Sequence, residues 1–96
     1  MPRVRLSAGA KEDLVYIWEY IARDNAHAAD TMLARIMRTV RVLASLPGVG
    51  RERNELKRGL RGFPEGPFVI FYTRLPRGGI QVVRIIHGNR DIAAQF

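Results

Sequence analysis

The sequence predicts an α+β domain of order β-α-α-β-β-β, with a helical hairpin packed on one face of a small antiparallel sheet. Three observations lead there. The chain has 96 residues, enough for one domain and too few for two. Its apolar residues recur with a helical period between residues 8 and 47, alternate with polar ones before it, and fill strand-length runs after it. Turn chemistry then joins the later strands at short intervals, which makes them a meander over 60–88.

Arg3-Val4-Arg5-Leu6-Ser7 alternates polar and apolar, so residues 1–7 read as a strand with one buried side. Ser7 suits a helix N-cap, with Glu12 and Asp13 following near the positive end of the helix. Leu14, Ile17 and Ile21 make one stripe of a helix from Ala8 to Arg23, and Tyr16 and Tyr20 lie on a neighbouring face. Asp24 and Asn25 break that helix, and Asn25 can cap the next. Ala29, Leu33, Ile36, Val40 and Leu43 repeat at 4-3-4-3 spacing, a seam for packing on another helix. Pro47-Gly48 ends it, so residues 8–47 form an antiparallel hairpin. Residues 48–59 (GVGRERNELKRG) read as a basic loop or short helical turn. Leu60–Phe63 reads as a short strand and Phe68–Leu75 as a central one. Pro76-Arg77-Gly78-Gly79 turns the chain into Ile80–His87, and residues 89–96 form a tail or one last helical turn. The partner of the first strand is left open.

Composition excludes several classes. Apolar residues make up 47% and charged residues 26%, ordinary globular values. With no cysteine there is no disulfide framework and no thiolate metal site, so the core alone must hold the fold. The first ten residues lack the apolar stretch of a signal peptide, and no apolar run could span a bilayer, so a cytoplasmic protein is expected. Net charge is +7, and 14 of the 16 basic residues are arginine. The first 48 residues hold seven basic and five acidic groups; the last 48 hold nine and four. The C-terminal half is thus the surface expected to meet an anionic partner, either nucleic acid or an acidic protein.

Both long strands carry apolar residues on both faces: Phe68, Ile70 and Tyr72 against Val69 and Phe71; then Val83 and Ile85 against Ile80, Val82 and Ile86 around Arg84. A hairpin covers one face only. The other is either a docking patch or is covered by the tail or the 48–59 loop. Arg84, amid an apolar strand, requires a carboxylate, carbonyl or phosphate, or must reach water. Trp18, beside the helix stripe, reads as a core residue or as an anchor for a partner. Arg35, Arg38 and Arg41 read as a solvent face, and His27 as a surface histidine. His87, near Arg90 and Asp91, could act as acid or base in RNA cleavage, or close a turn by a hydrogen bond. Two histidines without cysteine do not suggest a metal site, and there is no dinucleotide or P-loop glycine motif. No cofactor is expected.

Leu14…Ile17…Tyr20-Ile21-Ala22, Leu43-Ala44…Pro47…Gly50-Arg51, Leu60-Arg61…Phe63-Pro64…Gly66…Val69-Ile70-Phe71-Tyr72 and Val83-Arg84-Ile85-Ile86-His87-Gly88-Asn89-Arg90-Asp91-Ile92 form an ordered set across nearly the whole chain. In that set the sequence resembles toxins of the RelE/ParE superfamily of type II toxin–antitoxin systems, on the ParE side. The resemblance implies the same β-α-α-β-β-β fold. It also implies a cognate acidic antitoxin, usually of the ribbon-helix-helix ParD kind, whose C-terminal segment wraps the toxin. ParE-like toxins are associated with poisoning DNA gyrase, whereas the RelE branch cleaves mRNA on the ribosome.

RelE-like ribonucleases resemble one another in a strand arginine, a turn arginine and a C-terminal tyrosine. These positions fall on Val69, Arg90 and Phe96. Valine cannot stabilise charge developing on phosphorus, and phenylalanine has no hydroxyl for proton transfer. The expectation is therefore a non-enzymatic toxin that blocks a topoisomerase. The alternative is a ribosome-dependent endoribonuclease using His87, Arg84 and Arg90. A plain nucleic-acid-binding module is a third reading, against which stands the lack of interleaved aromatic and basic residues on a strand. The residues expected to bind antitoxin are Trp18, Ile21, Arg61, Tyr72 and Arg84. Those expected to bind the target are Arg84, His87, Arg90 and Phe96.

Overall fold

In the computed structural model, which describes residues 2–96, eight elements follow the predicted order with two additions. They are β1 (Val4–Leu6), α1 (Ala8–Ala22), α2 (Ala26–Ser45), β2 (Arg51–Glu52), β3 (Arg61–Glu65), β4 (Phe68–Arg74), β5 (Ile80–His87) and a terminal 3₁₀ turn over Ala93–Gln95. Both predicted caps form. The Ser7 hydroxyl accepts from the Ala10 amide at 3.0 Å, and the Asn25 side chain accepts from the Ala28 amide at 3.0 Å.

The sheet has five strands in the order β1-β5-β4-β3-β2. It is mixed rather than purely antiparallel, because β1 pairs with β5 in parallel, Val4 opposite Ile80 and Leu6 opposite Val82. This answers the question of the first strand's partner. The predicted 48–59 loop is also not all loop, since Arg51 and Glu52 pair with Gly62 and Arg61 as β2.

One core lies between the hairpin and the sheet. The seam residues Ile36, Val40 and Leu43 are buried there with Ile17, Ile70, Tyr72, Ile80, Val82 and Ile85. Leu33 is only partly buried at its border. The opposite face carries a second cluster of Leu60, Phe71 and Ile86, with Leu56 from the 48–59 segment and Ile92 from the tail packed on it. The Phe96 ring meets Phe71 edge-on at 5.2 Å. The far face is thus covered by the chain itself, not left as an open docking patch. The faces of β5 also depart from strict alternation: the register slips between Phe71 and Tyr72, with Phe71 opposite Arg84 and Tyr72 opposite Val82. Val83 is the extra residue of a bulge. Beyond it Ile85 joins Ile80 and Val82 on the hairpin side, while Val83 and Ile86 face the second cluster.

Candidate functional site

A cleft of about 370 Å³ lies between α1, the β3–β4 turn and the end of β5. Asp13, Tyr16, Ile17, Tyr20 and Ile21 line one wall. Their spacing of three, one, three and one places them on a single helical face. Met32 of α2 closes one end; Pro67, Phe68, Ile85, His87, Asn89 and Arg90 form the opposite wall. That wall is fixed by backbone. The Gly88 amide donates to the Pro67 carbonyl at 2.8 Å, and the Arg90 amide to the His87 carbonyl at 3.1 Å. Tyr16 and Tyr20 stack at 6.3 Å between centroids and are each 60% exposed, a large aromatic surface left at the cleft rim.

Two polar groups near the cleft are occupied by the fold. The His87 Nδ1 accepts from the Asn89 amide at 3.3 Å, and its ring stands edge-on to Phe68 at 5.5 Å. The sequence left both a proton-transfer role and a turn-closing hydrogen bond open, and the second is present. Arg84 is paired within the chain. Its Nε and Nη2 donate to the two Asp13 oxygens at 2.8 and 3.0 Å, and the Ile85 amide donates to the same carboxylate at 2.9 Å. Asp13 thereby takes over the β5 edge where β1 has ended. Its hydrogen bond to Arg84 raises the arginine pKa, outweighing the opposing effect of burial.

The remaining expected residues lie elsewhere. Arg61 and Tyr72, adjacent across β3 and β4, clasp the segment after α2. The Tyr72 hydroxyl donates to the Pro47 carbonyl at 2.8 Å and accepts from the Gly50 amide at 2.9 Å. Arg61 donates to the Gly50 carbonyl at 2.7 Å and to Glu52 at 3.2 Å. Gly50 is required by this contact, because a Cβ there would collide with the tyrosine ring and hydroxyl. Tyr72 is fully buried, so its expected role on a partner surface is replaced by one in the core, and burial raises its pKa. Trp18 is half-buried, with its indole N–H donating to Asp30 at 2.8 Å across the hairpin. Phe96 lies on the other side of the sheet against Phe71.

Of the residues singled out from sequence, the cleft therefore gathers Ile21, His87 and Arg90, with Arg84 held at its margin through Asp13. Sequence reasoning missed Asp13, Met32, Pro67 and Phe68 as neighbours of these, and it set Tyr16 and Tyr20 aside on their own face. The helical spacing from Asp13 to Ile21 was the available signal. Among the described residues no cluster of acidic and histidine side chains could hold a metal ion, and no helix is long and apolar enough to cross a membrane.

Residues 4–92 match a family described as the ParE toxin of type II toxin–antitoxin system, parDE. The chain is similar to Toxin ParE3 of Caulobacter vibrioides, 31% identical over 97 residues that span 100% of this chain and 96% of that protein. It is also similar to Toxin ParE1 of Mycobacterium tuberculosis, 30% identical over 91 residues, covering 94% of this chain and 93% of that one. A solved structure described as the chromosomal ParDE TA system from P. aeruginosa has the same fold, with a TM-score of 0.74 at 22% identity. The match covers 91% of this chain and 96% of that one.

Proposed function

The chain belongs to the ParE toxin family of type II toxin–antitoxin systems, and we propose that it acts by binding and poisoning DNA gyrase and is silenced by a ParD-type antitoxin. The cleft between α1 and β5 is the contact surface in this reading. Its apolar walls and the exposed Tyr16 and Tyr20 suit the apolar face of a partner segment, since aromatics supply much of the energy at interface centres. The +7 charge suits the carboxylates of an acidic antitoxin. An antitoxin seated in the cleft covers His87 and Arg90, the two expected target-binding residues that line it, so neutralisation works by occlusion. Arg84 contributes indirectly, by fixing α1 to β5 through Asp13, and Phe96 by closing the far sheet face.

The observation that carries the non-enzymatic reading is the commitment of the would-be catalytic groups. His87 closes a turn through Nδ1, Arg84 is neutralised by Asp13, and Val69 and Phe96 stand where a ribonuclease needs charge and a hydroxyl. Binding and occlusion need no such groups. The test is expression in cells with and without the neighbouring gene. Induction of the DNA-damage response, relieved by the neighbour, with mRNA intact throughout is the expected result. Widespread mRNA cleavage without DNA damage overturns it in favour of a ribosome-dependent ribonuclease.

A further inference from the structure

At the end of the sheet away from the cleft, Val4 of β1 and Arg74 of β4 both stand opposite Ile80, and Glu52 of β2 stands opposite Arg61. Arg5, Gln81 and Thr73 form one row there across β1, β5 and β4. Their chain neighbours Val4, Val82 and Tyr72 belong to the hairpin core, so the row lies on the far face. Arg51 shares that face, since its partner Gly62 abuts the Phe71 ring. Two turns complete this end. Leu56 anchors the 53–60 segment on the far-face cluster, which brings Lys57 and Arg58 to its rim. Arg77 sits in a turn closed by the Leu75 amide on the Gly79 carbonyl at 3.0 Å. Gly79, at φ +86°, lies where a Cβ would strike the Arg3 backbone, so this turn and the start of β1 are fixed together. Arg3, Arg5, Arg51, Lys57, Arg58 and Arg77 are all exposed, and among the described residues the ion pairs use other arginines. Of the acidic residues only Glu52 and Glu55 lie at this end, each already held by an arginine, Arg61 and Arg53.

We infer that this basic end of the sheet holds the backbone of duplex DNA. Four strand spacings of about 4.8 Å spread the cations over about 19 Å, and a duplex carries one charge per about 1.7 Å of axis. Several phosphates therefore lie within reach at once. Thr73 and Gln81, between the cations, add neutral groups that can hydrogen-bond phosphate oxygens. A single strand is a poorer match, because no exposed ring stands among these cations for bases to stack on: Tyr16 and Tyr20 are on α1, and Phe96 packs on Phe71. A protein is a poorer match too, because the row between the cations is polar and offers no apolar anchor point. The choice of DNA among duplexes rests on the gyrase reading above: the toxin then touches both the enzyme and the DNA on which it acts. The cleft opens at the opposite end, so both contacts can be made together.

The probe is a short random-sequence DNA duplex, titrated with purified toxin in the absence of gyrase over about 50–200 mM salt. With about four to six cations on phosphates, affinity is expected to fall by about 10²-fold or more across that range. This measurement needs no variant. Arg58→Glu with Arg77→Glu, both outside the strands, is expected to weaken binding at least tenfold and to lower the log–log salt slope by about 2. Arg23→Glu with Arg38→Glu takes the same charge from exposed positions on the hairpin and is expected to bind within about threefold of wild type, since distant charges are screened. No salt dependence, an equal loss from both pairs, or tighter binding to a single strand or an RNA duplex overturns the inference. So does an effect of the first pair confined to the protein encoded beside the toxin gene, which makes the patch a protein interface. Binding to gyrase without DNA is measured alongside. Toxin that binds gyrase but not the duplex overturns this inference and leaves the gyrase reading standing; toxin that binds neither overturns both.

Discussion

Arg84 separates a structural role from a binding one. Its guanidinium makes two charge-assisted hydrogen bonds to Asp13, whose carboxylate also takes the Ile85 amide, and the two side chains are 25% and 14% exposed. Hydrogen bonds to charged groups contribute about 1.5–3 kcal/mol. Partial solvent screening lowers the expectation for this pair to about 2 kcal/mol, between a surface ion pair and a buried one. Arg84→Ala leaves Asp13 largely shielded from water with one remaining donor. In a domain of this size such a loss lowers the melting temperature by roughly 10 °C. The assay is a double-mutant cycle with Asp13→Ala, Arg84→Ala and the double variant, each unfolded in urea. A coupling energy of about 1–3 kcal/mol is expected. Coupling below about 0.5 kcal/mol, in the range of an exposed pair, would refute the claim that this pair joins α1 to β5 and would return Arg84 to the set of free surface cations.

Tyr72→Phe deletes the hydroxyl that joins Pro47 and Gly50 and strands a buried amide. A loss of about 1–3 kcal/mol in urea unfolding is expected, and an unchanged midpoint contradicts the clasp. Glu65 accepts from Thr39 at 2.5 Å and from Arg35 at 2.8 Å; these bonds, Thr39 first, hold its carboxyl below the usual value of 4.5 against the effect of burial. A depressed folded pKa means that the stabilisation is present above about pH 4.5 and is lost as pH falls through the lower folded value. The stability gap between wild type and Glu65→Gln should therefore close on acidification; a constant gap down to the acid transition contradicts it. Tyr16→Ala with Tyr20→Ala, on an exposed face, should leave the melting temperature within a few degrees while weakening antitoxin binding by more than tenfold, the scale of interface aromatics. Unaltered affinity removes the cleft from the interface.

Local signals carried most of the fold. Ser7 and Asn25 cap where side-chain chemistry and following periodicity place them, and the 4-3-4-3 seam from Ala29 to Leu43 is buried except at Leu33, which is only partly so. What was hidden depends on pairing across the chain. The parallel contact of Val4 with Ile80 has no local signature, and a strand of two residues, Arg51–Glu52, is too short to show a period. The bulge at Val83 reverses the faces beyond it, so simple alternation assigned Ile85 to the wrong side. The site was legible in part for the same reason. His87 and Arg90 follow from their turn, and Ile21 from its helical stripe. That Arg84 needed a carboxylate could be argued from an arginine amid apolar residues. That Asp13 supplies it, 71 residues away, could not.

The central claim is that this ParE-family chain acts on gyrase by binding and not on RNA by catalysis. The most direct measurement puts purified wild-type protein and His87→Gln side by side into two reactions: supercoiling of relaxed plasmid by gyrase, and mRNA on programmed ribosomes. Glutamine keeps hydrogen bonding at position 87 and removes acid–base function near neutral pH. The expected result is that wild type inhibits supercoiling or traps cleaved plasmid with gyrase, that His87→Gln retains this when folded, and that mRNA stays whole with both. Cleavage of ribosome-bound mRNA by wild type, reduced about 10²-fold or more by His87→Gln as for a lost general acid or base, would contradict the account.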